Sequence, residues 1–423
     1  MARFLFASTA FQAHTDYGGL LATARSLRGH GHEVLWATDP RRLPRVAAAG
    51  IGVVSIPVVD PYRGGSHEDA HDQLDRTETV RLWRMTLRDH GAFAPGSALA
   101  SQYASMVRGV LYSWIQEAVL AESCRALIHL IDRWRPAVLV GEPLMLPAVI
   151  AAEARAVPLA GCGYPGPLMV LQPLPEMKRA LEFSAGILRR IRTRFECPPQ
   201  RSDDLQVYTS SNQLQLVYFP HDWYGNLRAP CAENVQYVGG FTACQDEDRD
   251  TSIRQLEPPL VLVASSTSYK PRVDVLQAVF EAVRRVDGRV LTAGTDETRK
   301  RFGRLPDHVE WREWISYDDV LPRVAAIVHH GGLGTAHAAV RAGTPQLVLP
   351  GPLDQILHAE AVSCAGVGTY YVGPITAEAL VSRLQDLLST SAYARAACAL
   401  RGRFARQGGV PRAAELLVAL AKS

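Results

Sequence analysis

The chain has 423 residues, about two to three times a common domain length, which predicts two domains. Hydrophobic residues make up 47% and charged residues 21%, and a net charge of +3 is too balanced for a protein whose main partner is nucleic acid or an anionic membrane. The seven cysteines are scattered without a CxxC pair, so the sequence predicts neither a disulfide framework nor a zinc site.

The apolar N-terminal segment is too short for the hydrophobic region of a signal peptide and soon meets His14 and Asp16. We interpret it as a first buried strand. No stretch approaches the roughly 18 apolar residues that a membrane span requires. We therefore expect a cytoplasmic protein without a membrane partner.

In the first half of the chain, short apolar runs alternate with amphipathic segments, which is typical of parallel sheets wound with helices. The pattern predicts strands at 4–7, 33–37, 53–56 and 137–141 and helices at 19–28 and 147–156. Residues 60–123 lack this alternation and are rich in His, Arg, Trp and Tyr. They are interpreted as an insertion, and insertions at the carboxyl ends of strands commonly build binding sites.

A second series of elements follows the polar stretch 244–254. It predicts strands at 260–264, 289–293, 326–329 and 346–349 and helices at 273–284 and 334–342. We therefore expect a Rossmann-like domain over 1–220, a second one over 236–400, and a C-terminal helix over 401–423 that packs back towards the first. The alternative is one large doubly wound domain.

A glycine-rich turn lies between a predicted strand and helix in the second half. The strand ends at His329–His330, and Gly331, Gly332 and Gly334 precede Thr335. Glycines allow close approach to a ligand, and the free amides and dipole of a helix N-terminus favour phosphate. His330 would add a donor or a positive charge, and the predicted chemistry is departure of a nucleoside diphosphate without a metal. A histidine pair binding a metal is the alternative, but no third ligand follows at useful spacing.

The stretch from His329 to Glu360 resembles the nucleotide-sugar signature of the UDP-glycosyltransferase superfamily, in particular the bacterial natural-product (antibiotic) glycosyltransferases of family 1. This resemblance implies the GT-B fold, an α/β architecture in which two Rossmann-like domains face each other across a cleft. It also implies donor-binding roles: the diphosphate would be held by His330, Gly332, Gly334 and Thr335, and sugar hydroxyls by Asp354 and Gln355.

Further positions carry the resemblance with some departures. Trp314 would stack on the base, with ordinary core packing as the alternative, and Thr267 would contact the phosphate. Ser316 stands where the family has proline, and Ser266 where it has glycine. His358 replaces the usual asparagine of the signature, which predicts an altered hydrogen bond.

The N-terminal half resembles the same family at 4–38 and 134–158, where the family's first-loop histidine accepts the proton of the acceptor hydroxyl. An ungapped count from Gly31–Val34 puts this position at Asp16, whereas His14 lies two residues earlier. A base works best with a pKa near the working pH, which fits histidine at about 6.5 better than aspartate at about 3.9. Three alternatives stay open: His14 is the base, oriented by Asp16; Asp16 is the base, with its pKa raised by burial; or neither acts.

Glu142, at the end of its strand, is a third candidate catalytic residue that would assist the base or bind the acceptor, with helix capping as the alternative. Trp83, Tyr112 and Trp114 predict an apolar acceptor pocket, with core packing of helices as the alternative. The resemblance implies an inverting transfer of a hexose from a UDP- or dTDP-sugar to a polyketide, macrolide or aromatic aglycone. It implies no cofactor beyond this co-substrate, and either a homodimer or an activating partner protein is compatible with it.

Three other classes of function are alternatives. A nucleotide-sugar epimerase would share the fold and bind the diphosphate without an acceptor cavity. A nicotinamide-dependent oxidoreductase would need GxGxxG after the first strand, where this chain has only Gly18–Gly19. A non-catalytic partner protein would bind the nucleotide sugar without turning it over.

Overall fold

The computed structural model describes residues 1–10, 19–60, 104–105, 108–109, 111–163, 178–199, 211–224, 233–240, 259–265, 272–351 and 354–423. The strands in these residues form two separate sheets, of seven and six strands. Each sheet is wound with helices, which confirms the α/β class. The alternative of one large doubly wound domain is therefore wrong.

The first sheet is parallel throughout and has the order β3-β2-β1-β4-β5-β6-β7. Its strands are β1 Arg3–Ala7, β2 Glu33–Thr38, β3 Gly52–Ser55, β4 Val138–Gly141, β5 Leu159–Cys162, β6 Leu214–Val217 and β7 Val235–Tyr237. Strands β4, β5 and β6 are buried along their whole length, which explains their short apolar sequences.

Helices cover this sheet at α1 Leu20–Gly29, α2 Leu43–Ala48, α3 Glu117–Trp134, α4 Leu146–Ala154 and α5 Lys178–Arg194. Helix α1 begins after Gly19, whose φ of 82° is readily adopted by glycine. A Cβ at Gly19 would lie 2.5 Å from the Tyr218 ring, so the small residue lets the helix start against this tyrosine. Helix α3 begins inside the stretch 60–123 that was interpreted as an insertion, but it extends beyond it to Trp134 and precedes β4.

The second sheet is also parallel and has the order β10-β9-β8-β11-β12-β13. Its strands are β8 Leu260–Ala264, β9 Arg289–Ala293, β10 Val309–Arg312, β11 Ala326–His329, β12 Gln346–Val348 and β13 Gly368–Tyr370. The helices that follow β8 are α6 Val273–Arg284, α7 Asp296–Lys300, α8 Tyr317–Val320, α9 Leu333–Ala342, α10 Asp354–Cys364, α11 Ala377–Ser389, α12 Ser391–Ala405 and α13 Gly409–Leu420.

The structure differs from the expected domain limits at two places. Strand β7, which falls within the expected second domain, pairs with β6 in the first sheet, because Gln215, Leu216 and Val217 lie in register with it. The helix expected over 401–423 begins at Gly409, since residues 401–405 still belong to α12, which packs against α9. Helix α13 packs on α1, and Ala413, Ala414 and Leu417 enter the core of the first sheet.

The segment after β6 joins the two sheets. Phe219 and Trp223 are buried in one apolar cluster with Leu333 of α9, Ile356 of α10 and Phe404 of α12. This cluster therefore contains residues from the segment between β6 and β7 of the first sheet and from helices that cover the second.

Both sheets have a topological switch point, where the strand order reverses, and ligands bind beside the carboxyl ends of strands at such points in open α/β sheets. In the first sheet the switch lies between β1 and β4, and in the second between β8 and β11. Among the described residues, no helix combines the length and apolarity needed to cross a membrane.

Candidate functional site

The glycine turn lies at the carboxyl end of β11, at the switch point of the second sheet. Gly331 has a φ of 88°, and Gly332 is the N-cap of α9 with φ −61° and ψ 144°. No side chain caps this helix end. The amides of the first turn of α9 and its dipole are thus available to an anion at this edge.

His329 supports the turn from inside the sheet. Gly331 donates its N–H to His329 Nδ1 at 3.1 Å, and the opposite ring nitrogen, Nε2, lies 3.0 Å from Gln346 Oε1. Since Nδ1 accepts, Nε2 carries the proton and donates to the amide oxygen. Burial lowers the pKa of His329 to about 3, so the ring is neutral near pH 7 and fixes the turn without adding charge.

His330 is the first residue after the strand, and its ring lies over the turn. A Cβ on Gly332 would collide with His330 Nε2, so only glycine lets the ring take this position. His330 Nδ1 is buried and makes no hydrogen bond to the described residues. Burial lowers the pKa of His330 to about 4, so the imidazole is neutral near pH 7. Of the two expected contributions, the structure therefore favours the N–H donor over the positive charge.

Thr335 lies in the first turn of α9 and is buried. Its side chain forms a hydrogen bond with Tyr317 of α8, whose pKa is raised by burial. Tyr317 was not predicted from the sequence, and it ties the start of α9 to the neighbouring helix.

Trp314 precedes α8 and is 55% exposed, so the alternative of core packing is wrong. The neighbouring Trp311 packs inward instead, with Nε1 donating to the Gly294 carbonyl at 3.1 Å. An exposed indole is available for stacking.

Helix α10 begins beside the glycine turn. A Cβ on Gly331 would lie 2.6 Å from the Gln355 carbonyl oxygen, which shows how closely the turn and the helix approach. The Gln355 side chain is buried, and its Oε1 accepts the N–H of Gly351 at 2.9 Å. Asp354 is the first residue of α10, and its side chain lies outside the described part of the chain. The structure thus brings together the turn, His330 and the start of α10.

The corresponding edge of the first sheet is built from polar side chains. Glu142, directly after β4, is 4% exposed, and its Oε1 accepts the N–H of Thr9 at 2.6 Å. The N-cap of helix α4 is Met145, so Glu142 lies three residues before it. The carboxylate instead holds the residue that leads from β1 into the first loop.

A second set of hydrogen bonds supports the same exit from β1. Ser8 Oγ donates to Thr38 Oγ1 at 2.9 Å and accepts Trp36 Nε1–H at 3.0 Å. Thr38 Oγ1 donates to the Thr9 carbonyl at 3.1 Å. These residues follow or end neighbouring strands, so their clustering needs the sheet order, and the only sequence signal for them was the small polar residues at the strand ends.

The remaining predicted site residues fall partly inside and partly outside the described ranges. His14, Asp16, Trp83 and Thr267 lie outside the described residues. Tyr112 is 50% exposed and contacts Phe183 edge-on, with ring centroids 5.7 Å apart. Trp114 is half-buried and packs against the apolar cluster between α3 and α5, as expected for the core-packing alternative.

Within the described ranges, no group of three or more His, Cys, Asp or Glu side chains lies close enough together to hold a metal ion.

The comparisons with known proteins agree with this geometry. The family model of the erythromycin biosynthesis protein CIII-like N-terminal domain matches residues 25–168, and that of the C-terminal domain matches residues 277–420. The elloramycin glycosyltransferase of Streptomyces olivaceus is 30% identical over 385 residues, covering 88% of this chain and 86% of that protein.

Solved glycosyltransferase structures share the fold. The glycosyltransferase VinC in complex with dTDP superposes with a TM-score of 0.68 at 18% identity and covers 99% of both chains. The spinosyn rhamnosyltransferase SpnG complexed with spinosyn aglycone gives 0.68 at 19% identity, covering 99% of this chain and 100% of that one. The two parallel-sheet domains thus define a GT-B fold. The chain belongs to the bacterial natural-product glycosyltransferases of family 1, and it is an enzyme that transfers a sugar to a natural-product acceptor.

Proposed function

We propose that the enzyme moves a hexose from a UDP- or dTDP-sugar to a polyketide, macrolide or aromatic aglycone with inversion at the anomeric carbon. The observation that carries this proposal is the turn at Gly331–Gly332, where an uncapped helix N-terminus meets the ring of His330. Backbone amides at such a turn bind phosphate oxygens closely, and the helix dipole stabilises the charge of a leaving diphosphate.

The donor would lie along the carboxyl edge of the second sheet. Its diphosphate would contact the N-terminal turn of α9 and the N–H of His330, with Gly334, Thr335 and Thr267 beside it. Its base would stack on Trp314, which is exposed, and its sugar hydroxyls would hydrogen-bond to Asp354 and Gln355 at the start of α10. Because the neutral His330 has a buried nitrogen without a partner among the described residues, a phosphate oxygen would give that ring a polar partner.

Two relatives support this arrangement of ligands. The structure of VinC contains dTDP, and that of SpnG contains a spinosyn aglycone. These two printed ligands are of the two kinds, a nucleotide diphosphate and a natural-product aglycone, that the proposed reaction needs.

The reaction would be a single in-line displacement. The acceptor hydroxyl oxygen attacks C1 of the sugar, its proton passes to the base, and the bond from C1 to the diphosphate oxygen breaks with its electron pair on the diphosphate. The base would be His14 or Asp16 in the loop after β1, whose first residues are held by Glu142. A developing alkoxide needs such a base, and the departing charge would be stabilised by α9.

A thermal-shift panel with UDP, dTDP, UDP-glucose, dTDP-glucose, GDP-mannose and NAD tests the donor site. We expect stabilisation by the UDP or dTDP compounds alone, and by RT ln(1 + [L]/Kd) a ligand at about 100 times its Kd contributes about 2.7 kcal/mol. Stabilisation by NAD, or by none of these ligands, would contradict the proposal.

Separate substitutions of the two candidate bases test the mechanism. His14→Ala and Asp16→Asn should differ, because loss of the true base lowers kcat by about two to four orders of magnitude while loss of its neighbour costs less. Donor affinity should be unchanged in both variants, as measured by calorimetry with the nucleotide that stabilises the wild type. If both variants were as active as the wild type, the proposed role of this loop in proton transfer would be contradicted.

A further inference from the structure

His358 occupies a position on α10 that is buried between the two halves of the molecule. Its side chain is fully buried, and the indole Nε1 of Trp223 donates to its Nδ1 at 3.4 Å. Nδ1 is therefore the unprotonated nitrogen of a neutral ring, and Nε2 carries the proton. Phe219 lies against the same imidazole, with ring centroids 5.4 Å apart.

Trp223 reaches α10 from the segment between β6 and β7 of the first sheet. It ends a short 3-10 helix, His221–Trp223, and its ring stacks on Phe219 at 5.0 Å and 17°. Asp222 of the same turn forms an ion pair with Arg403 of α12 at 2.9 Å. The donor of the Trp223–His358 hydrogen bond is thus fixed by packing, so the bond defines where α10 lies relative to this segment.

Gln355 and His358 are three residues apart and share one face of α10, one turn apart. The Gln355 side chain is held at Gly351, and its carbonyl lies against the turn at Gly331. The first turn of α10 is therefore supported from its N-terminal side by two glycine segments and, one turn later, by Trp223 through His358. A shift of the helix at His358 would move Gln355 against the turn.

We propose that His358 is a positioning residue: through its hydrogen bond with Trp223 it holds the first turn of α10 where Asp354 and Gln355 meet the donor sugar. This inference rests on the proposed donor site and assigns a role to a residue that the sequence analysis only expected to alter one hydrogen bond. It concerns the sugar and not the nucleotide, because His358 is on the helix that carries the proposed sugar contacts and not on α9.

The test separates the affinity for the nucleotide from that for the sugar. Calorimetry would give Kd for dTDP and dTDP-glucose, or for UDP and UDP-glucose, whichever pair the wild type binds. His358→Leu removes the hydrogen-bond acceptor and keeps a similar side-chain volume. It should raise Kd for the nucleotide sugar by about 3- to 10-fold, the range for one lost hydrogen bond, with little change in Kd for the free nucleoside diphosphate. Trp223→Phe removes the donor and keeps an aromatic ring, and it should have the same selective effect.

Two further variants make the result specific. His358→Asn keeps an acceptor at the δ position and should restore most of the lost affinity. The double variant His358→Leu/Trp223→Phe should be no weaker than either single one, because both remove the same bond. Trp134→Phe is the matched control: this half-buried indole packs in an apolar cluster of the first sheet that contains no residue of α10, and its replacement should leave both affinities unchanged.

Equal weakening of nucleotide and nucleotide sugar in the His358 and Trp223 variants would overturn the positioning role and indicate a general packing role. Unchanged affinity for both ligands would overturn it as well. A wild type that binds none of the nucleotides would instead overturn the proposed donor site, and this role with it, so the two failures are distinguishable.

Discussion

The two carboxyl edges of the molecule are built by different means. At the second sheet, glycines and buried neutral histidines bring the backbone close to where a ligand would lie, and Gly331 approaches the Gln355 carbonyl so closely that no side chain fits. At the first sheet, buried polar side chains hold the start of a loop, with Glu142 bonded to Thr9. The second edge is therefore shaped mainly by backbone, which suits a ligand group of constant shape, whereas the first edge is shaped mainly by side chains.

Replacing Gly331 with alanine tests the backbone-built edge and has the largest expected effect of the substitutions in this section. The new Cβ would lie 2.6 Å from the Gln355 carbonyl oxygen, and the φ of 88° disfavours any L side chain. Affinity for the stabilising nucleotide should fall by about tenfold or more, because the turn and the start of α10 must separate. Isothermal titration would measure the change.

Gly303→Ala is the matched control for this variant. Gly303 also has a positive φ, of 63°, but a Cβ there meets nothing within 4 Å. It should lose about 1 kcal/mol of stability from backbone strain and keep its nucleotide affinity. If Gly331→Ala binds as tightly as Gly303→Ala does, close backbone approach is not what builds this edge.

Glu142 tests the edge built from side chains. Glu142→Gln keeps a side-chain oxygen for the Thr9 N–H and should retain kcat within about threefold, whereas Glu142→Leu removes it and should lower kcat by about tenfold, the equivalent of one charge-assisted hydrogen bond. Donor affinity should be unchanged in both variants. A Gln variant as inactive as the Leu variant would mean that the negative charge itself takes part in the reaction.

The buried histidines of the second edge predict a dependence of stability on pH. Burial lowers the pKa of His329, His337 and His358 to about 3 and that of His330 to about 4. In the unfolded chain these pKa values return to about 6.5, so the unfolded state binds more protons below that pH. Stability should therefore fall as the pH drops from about 6.5 towards 4, by up to about 1.4 kcal/mol per histidine and pH unit.

Urea unfolding at pH 7.5, 6.0 and 5.0 would measure this slope. His337→Leu should reduce the slope of the unfolding free energy against pH by the contribution of one histidine. Val340→Ala, a buried truncation in the same helix, should lower the unfolding free energy equally at all three pH values and leave the slope unchanged. An identical slope in the wild type and His337→Leu would show that His337 does not contribute to it.

The strands and the glycine turn could be predicted because their signals are local. Strands β8, β9 and β11 and helix α6 begin and end at the predicted residues, since apolar runs bounded by turn residues fix them. The turn of Gly331 and Gly332 was predicted from composition, and the structure adds the reason for each glycine: a positive φ at the first and the His330 ring at the second.

Other features depend on residues far apart in the chain and could not be predicted. Strands β7, β10 and β13 are three or four residues long and only partly apolar, so each forms because a neighbouring strand offers its edge. The Trp223–His358 contact spans 135 residues, and the Thr335–Tyr317 bond connects two helices. Nothing in the spacing of these residues indicates which of them meet.

Helix α13 has a consequence for recombining members of this family. The polypeptide leaves the first sheet after β7, forms the second, and returns at Gly409, whose N–H donates to the Val238 carbonyl at 2.6 Å. Helix α13 therefore packs into the core of the first sheet, where Leu417 is fully buried among residues of α1 and β1. A chimaera that exchanges donor specificity should take its new segment from residue 259 to residue 408 and keep both ends of the chain from one parent.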